Sequence, residues 1–266
     1  PNRSPPVSAS TRPTARILVI GNEILSGKVV DTNGPWLLRQ LRRRGLRSTG
    51  LEVLPDEIPR LARGVAEASR SADHVFTSGG VGPTHDDVMM EGVAAAFGLG
   101  LVEDPLILDF LVRRWRGPDT ATFRRMARVP EGANVTEGGH FPLVRVRNVW
   151  VFPGIPALLR DRFAAVAEGL GGVRPACAAL WSNQGESELA EDLREVEAAH
   201  PGLEIGSYPL WGPDREARVR LTLESDGSGP VEAGLAALRA RLDPLLLVRV
   251  EGLHRPEDVE DAEDAE

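Results

Sequence analysis

What most restricts the fold of this chain is an alternation in its first hundred residues. Ala15–Ile20 is a short apolar run that stops at Gly21 and reads as a buried strand entering a loop. Asp31-Thr32-Asn33-Gly34-Pro35 then offers capping groups and a proline for a first helical turn. Trp36, Leu37, Leu38 and Leu41 follow on one face, with Arg39, Arg42 and Arg43 on the other. The unit recurs. Ser48–Leu54 predicts a strand, and Ile58, Leu61, Ala62, Val65 and Ala66 fall at helical spacing after it. His74–Ser78 predicts a third strand, and beyond a glycine-bearing loop Val88, Val93, Ala96 and Phe97 mark a third helix. Helical crossovers of this kind return each strand in the same direction, and a parallel sheet has to be covered on both faces. The expected fold class is therefore α/β, a three-layer αβα domain over residues 15–170 with a mostly parallel sheet.

The rest of that segment is read less regularly. Residues 103–116 predict a helix with Leu106, Phe110 and Trp115 among its apolar positions, and Leu143–Phe152 predicts a β-hairpin turning at Arg147-Asn148. The turn Pro153-Gly154-Ile155-Pro156 leads into a helix from about Ala157 to Glu168. Gly171–Pro175 reads as a linker, after which the rhythm becomes β-α-β-β-α-β: strands at Ala178–Ser182, Leu203–Tyr208, Ala217–Leu223 and Leu245–Val250, helices at Glu186–Ala199 and Pro230–Leu242. That order predicts a small α+β domain of ferredoxin-like pattern over 176–250.

Charge and composition narrow the function classes. Residues 252–266 hold seven acids and one Arg, so most of the net charge of −8 belongs to a solvated acidic tail, and residues 1–14, rich in Pro and Ser, read as a loose leader. With a pI near 5.3 and no basic stripe interleaved with aromatics, no nucleic-acid partner is expected. No run of eighteen apolar residues and no signal-like segment occurs, so a soluble protein without a membrane partner is expected. The lone Cys177 excludes an intrachain disulfide, favours a reducing cytoplasm, and reads as a small core residue. Walker A and G-x-G-x-x-G fingerprints are absent, as are a G-x-S-x-G elbow and H-E-x-x-H spacing.

The chemistry concentrates in Gly79–Asp87. Gly79, Gly80 and Gly82 let backbone N–H groups approach an anion without Cβ interference, and the helix that follows adds a partial positive charge. Pro83 and Thr84 complete the crest of the loop. Asp86 and Asp87 are hard oxygen ligands suited to Mg²⁺ or a similar divalent ion, which would offset their charge beside a phosphate. The same residues also fit a plain turn in which one Asp caps the helix. His85 is the histidine placed nearest a ligand. A second loop, after the first strand, should open at the same sheet edge: Asn22, Glu23, Lys28, Asp31 and Asn33 are its candidates. Glu23 and Asp31 could contact metal or ribose, Asn33 could donate to a ligand and Lys28 could neutralise phosphate, or each could cap or face solvent. Trp36, on the leucine face, reads as core.

At these residues the chain resembles the molybdopterin-binding domain family, which includes molybdopterin adenylyltransferases, the competence/damage-inducible protein A family and the N-terminal domain of animal FAD synthase. The segments that carry the resemblance are GNEILSGKVVDTN at 21–33, TSGGVGPTHDDV at 77–88 and FPLVRVRNVWVFPGIPALL at 141–159, the last resembling the FAD synthase and competence-protein branch. Gly185-Glu186-Ser187 and Gly206-Ser207-Tyr208-Pro209 are similar to the small domain that follows in that branch. The resemblance implies a three-layer domain binding a pterin or nucleotide diphosphate, a homo-oligomer, and either pyrophosphate hydrolysis of FAD or ADP-ribose with a divalent metal (Mg²⁺ or Co²⁺) or adenylyl transfer to molybdopterin. Its acidic motif falls on Asp86 and Asp87, and where the family usually has Thr two positions later this chain has Met89. No nicotinamide-nucleotide amidase or FAD-synthesising segment is recognised, so those activities are not expected of these residues. The leading expectation is a metal-dependent nucleotide pyrophosphatase with Asp86 and Asp87 as catalytic and metal-holding groups, Glu23 joining the metal. The competing one is a module that holds a pterin or nucleotide without turnover.

Overall fold

The computed structural model describes residues 12–115 and 120–254. Most of the expected leader and tail, residues 1–11 and 255–266, therefore lies outside the described residues. Thr14, expected in the leader, is instead the first residue of a strand.

The unit Pro13–Gly171 runs β1 (Thr14–Ile20), α1 (Asn22–Leu25), α2 (Asn33–Arg43), β2 (Arg47–Leu54), α3 (Ile58–Ser71), β3 (His74–Ser78), α4 (Met89–Phe97), β4 (Leu101–Glu103) and α5 (Pro105–Trp115). It continues through α6 (Ala121–Met126), β5 (Arg128–Pro130), β6 (Asn134–Thr136), β7 (Leu143–Val146), β8 (Val149–Phe152) and α7 (Pro156–Ala167). Six strands form one sheet in the order β2-β1-β3-β8-β7-β6. The first four are mutually parallel; β7 and β6 join through antiparallel pairs. The chain leaves β1 toward β2 on one side and later returns beside it as β3 on the other.

Period-two alternation in β1 builds both outer layers. Ala15, Ile17 and Val19 pack with Leu37 and Leu41 of α2 and Leu159 and Phe163 of α7, whereas Leu18 and Ile20 pack with Leu61 and Val65 of α3, Val93 of α4 and Ile107 and Leu111 of α5. Trp36 sets its edge on Phe163, with ring centroids 5.3 Å apart, and packs against this core while itself only part-buried. The β7–β8 hairpin turns where its sequence indicates, with Arg147 at φ 54. Neighbours hold this unusual backbone: Asn148 Nδ2 donates to the Ser69 and Ala72 carbonyls at the end of α3, and the Arg147 guanidinium lies 4.3 Å from the Phe97 ring centroid.

Two sequence readings need correction here. In α5 the buried positions are Ile107 and Leu111, while Leu106 and Trp115 are 44% and 55% exposed. The helix turns a different face inward from the one its largest side chains suggest. The short elements β4, α6, β5 and β6 have no counterpart in the sequence reading, because three to six residues carry no periodicity to detect.

The second unit comprises Arg12 and the residues from Gly172, with β9 (Ala176–Ser182), α8 (Glu186–Ala199), β10 (Glu204–Pro209), β11 (Val219–Ser225), α9 (Ser228–Arg241) and β12 (Leu247–His254). Its sheet, ordered β10-β11-β9-β12, is antiparallel throughout. Leu189 and Val196 of α8 and Val231 and Leu238 of α9 cover Leu180, Leu221 and Leu223 on one face. Arg12 is ion-paired to Glu224 and Asp226, and Cys177 is buried. The two sequence patterns singled out in this domain are satisfied locally. The Gly185 amide donates to the Glu188 carboxylate at the start of α8. Gly206, on an edge strand, leaves room for the Tyr208 ring: a Cβ there would stand 2.7 Å from Tyr208 Cε2. Among the described residues no helix is long and apolar enough to cross a membrane.

Candidate functional site

Because β2, β1, β3 and β8 are parallel neighbours, the loops leaving their carboxyl ends meet along one edge of the sheet. They enclose a cleft of about 530 Å³. Glu23 comes from α1 just after β1, Asp56 from the loop after β2, Gly79 to Thr84 with Asp86 and Asp87 from the loop after β3, and Pro153 to Pro156 from the turn between β8 and α7. Of the sequence candidates, Glu23, Asp31, Asn33, Gly79, Gly80, Gly82, Pro83, Thr84, Asp86 and Asp87 line it; Asn22, Lys28 and His85 do not.

The glycine loop has the backbone an anion site requires. Gly79 and Gly80 have φ of 106 and 68, a region that L side chains rarely adopt. Gly79 N–H donates to the Phe152 carbonyl, whereas the amides of Gly80, Val81 and Gly82 donate to no group among the described residues. The crest is pinned on its other side. Asp87 Oδ2 accepts the Thr84 amide at 2.8 Å and also the Thr84 hydroxyl, while Arg125 of α6 donates to the Pro83 carbonyl at 2.6 Å and to that of Thr84. Asp87 thus shapes the turn by bonding back to Thr84 and does not cap α4, whose start has no side-chain cap, and Gly80, Val81 and Gly82 line the cleft with unpartnered amides.

Five carboxylates line the cleft, Glu23, Asp31, Asp56, Asp86 and Asp87, and no Lys, Arg or His does so among the described residues. Burial raises the Asp56 carboxyl above the ordinary aspartate value, opposed by the hydrogen bond it accepts from the Asn22 amide at 2.8 Å and reinforced by repulsion from Glu23, Asp86 and Asp87. Asp86 is held below that value by hydrogen bonding within the loop. All these donors are hard oxygens with repulsion left over, which is the donor chemistry a hard divalent cation favours. Among the described residues no three such groups already stand close enough to form a ligand set.

A stability consequence follows for Asp56. Its raised folded value means that the ionised side chain destabilises the fold at neutral pH, and that this penalty fades as pH falls and the folded chain takes up the proton ahead of the unfolded one. Asp56→Asn, which keeps an oxygen for the Asn22 amide, should raise the melting temperature at pH 7 in metal-free buffer, by a margin that shrinks toward pH 4. A lower melting temperature at pH 7 would contradict this reading.

Two candidates turn out to brace the site. Asp31 accepts the amides of Asn33 and Gly34 at the start of α2, the capping role its position also allowed. Buried Asn33 donates through Nδ2 to Ser78 Oγ at 2.9 Å and to the Gly154 carbonyl at 2.7 Å, so it ties the ends of β3 and β8 together. Asn33→Ala strands both partners and should cost about 2 kcal/mol in denaturant unfolding. Met89 is fully buried among Leu18, Ile20, Leu61 and Val93, and its amide donates to the Gly80 carbonyl at 3.1 Å. The departure at this position therefore alters packing under the loop and leaves the cleft lining unchanged.

Asp56 and Trp115 are cleft residues that sequence reasoning passed over. The signal for Asp56 was the Pro55-Asp56-Glu57 turn after a strand; for Trp115 it was a tryptophan at a helix terminus.

Comparison with known proteins agrees with this architecture. Residues 16–172 match the family model described as probable molybdopterin binding domain, and residues 176–251 match that of the FAD synthase middle domain. The chain belongs to the molybdopterin-binding domain family, in its competence-protein-like branch. A protein of Archaeoglobus fulgidus is 34% identical over 198 residues, 74% of this chain and 86% of the relative. The probable FAD synthase of Caenorhabditis elegans is 30% identical over 261 residues, covering 87% of this chain but 50% of the relative, so the chain spans about half the length of that protein. The crystal structure of the protein CinA, of unknown function, from Thermoplasma acidophilum superposes with a TM-score of 0.56 at 27% identity, over 60% of this chain and 99% of that one.

Proposed function

We propose that the cleft binds the diphosphate of a nucleotide or pterin and that the chain is a metal-dependent nucleotide pyrophosphatase for a substrate of FAD or ADP-ribose type. The observation that carries this reading is the meeting of unpartnered Gly80, Val81 and Gly82 amides with Glu23, Asp56, Asp86 and Asp87 in a cleft whose described lining contains no cationic side chain. Donors of that kind attract an anion and the carboxylates repel it, so both can serve one ligand only when a cation lies between. The similarity to a probable FAD synthase supports a nucleotide as that ligand.

Asp86 and Asp87, with Glu23, would hold Mg²⁺ or Co²⁺, which supplies positive charge to polarise a phosphoryl oxygen. The glycine-loop amides bind and orient the diphosphate, and their donors strengthen as charge builds on its oxygens. Asp56, which holds a proton more tightly than an ordinary aspartate, receives the proton of the attacking water. A new P–O bond forms to that water while the bond to the bridging oxygen breaks, leaving two phosphate monoesters. Lys28 has no part in this scheme. Self-association into a homo-oligomer belongs to the same proposal and is read by light scattering.

Purified protein incubated with FAD should release FMN and AMP, and with ADP-ribose should release AMP and ribose phosphate, when Mg²⁺ or Co²⁺ is present and not when EDTA replaces it. Binding of intact nucleotide with no product would instead assign a holding module.

A further inference from the structure

The diphosphate reading uses one side of the cleft and leaves unexplained why its mouth is apolar. Val30, Ile155 and Trp115 line the cleft and remain 82%, 60% and 55% exposed, although they come from three separate elements. Large apolar side chains left open to water and gathered at one opening mark a binding surface. Trp115 also leans on an aromatic neighbour. Its ring lies 5.8 Å from that of Phe123, and the Phe123 amide donates to Thr120 Oγ at the start of α6, so the element that backs the indole is itself capped. A ring backed in this way and left half open has the form of a stacking surface.

Resting on the diphosphate reading, we infer that Trp115 is a specificity-determining residue: a platform for the planar heteroaromatic ring attached to the diphosphate, with Val30 and Ile155 closing over the ring from the other loops. The glycine loop then reads the charged centre of the ligand, and Trp115 selects ligands that carry a flat ring beyond it. Flavin, pterin and adenine share that chemistry.

The test compares wild type, Trp115→Ala and Trp115→Phe by calorimetry in Mg²⁺, with FAD, ADP-ribose, inorganic pyrophosphate, riboflavin and adenosine as probes. Stacking of a base on an aromatic side chain predicts a loss of roughly 5- to 100-fold in affinity for FAD or ADP-ribose in Trp115→Ala, restored largely by Trp115→Phe, with a far smaller change for pyrophosphate. Riboflavin and adenosine show which ring takes the platform. Unchanged affinity for FAD and ADP-ribose in Trp115→Ala would overturn the inference while pyrophosphate binding upheld the diphosphate site. An equal loss for pyrophosphate and the ringed ligands would also overturn it, by showing a general disturbance of the cleft. If wild type fails to bind pyrophosphate, the diphosphate reading falls, and the riboflavin and adenosine arms still decide whether Trp115 stacks a ring.

Discussion

Asp86→Asn should lower the turnover of FAD or ADP-ribose by roughly 100- to 1000-fold at saturating Mg²⁺, the range typical of removing one preorganised electrostatic contact to a phosphoryl centre. The substitution keeps size and shape and removes charge from an exposed side chain, so the melting temperature should hardly change. Asp87 is a less clean position, because its carboxylate also holds the Thr84 amide and hydroxyl. Asp87→Ala should therefore lose both turnover and loop order. Turnover assays and thermal unfolding run on both variants separate the two roles, and an Asp86→Asn protein as active as wild type would remove this residue from the chemistry.

Gly79→Ala should cost about 3 kcal/mol or more in denaturant unfolding, the largest stability effect expected of a single methyl group in this chain. Two causes act together. Its φ of 106 lies in a region closed to L residues, and an added Cβ would stand 2.3 Å from the Ile20 carbonyl oxygen, which belongs to β1 and cannot move without disturbing the sheet. Gly80→Ala is the internal control. At φ 68, with the Ile20 and Met89 side chains at 3.3 Å needing to yield only slightly, it meets chiefly the left-handed backbone penalty of about 1 kcal/mol. Equal losses in the two variants would show that contact with Ile20 has no weight.

The layers of the fold were legible because each large element repeats. Leu61 and Val65 on α3, Leu37 and Leu41 on α2, and the alternating faces of β1 all bury the side that periodicity assigns them. The glycine loop was legible as a turn for a different reason: three glycines within four residues after a strand mark a tight strand-to-helix connection, and periodicity has no part in that reading. Asp56 escaped notice because its role depends on β2 lying beside β1, and hydrophobic patterning says that strands are parallel without saying which are neighbours. The bracing role of Asn33 is not legible, because nothing local shows that its amide reaches Gly154, 121 positions away. Trp115 reads from sequence only as an apolar position of its helix, and helical spacing does not show that a residue in the last turn stands 55% exposed beside a cleft.

Arg125 gives the site an outside handle. It grips the crest of the glycine loop by the carbonyls of Pro83 and Thr84 from a six-residue helix whose Met126 reaches the cleft but which supplies none of its carboxylates or loop amides. Drift in that small helix can therefore reshape how the donors splay without altering a single residue of the glycine and aspartate motif. Related chains with identical glycine and aspartate motifs are then free to diverge in the molecules they accept, and a search for the cause confined to the motif would miss it.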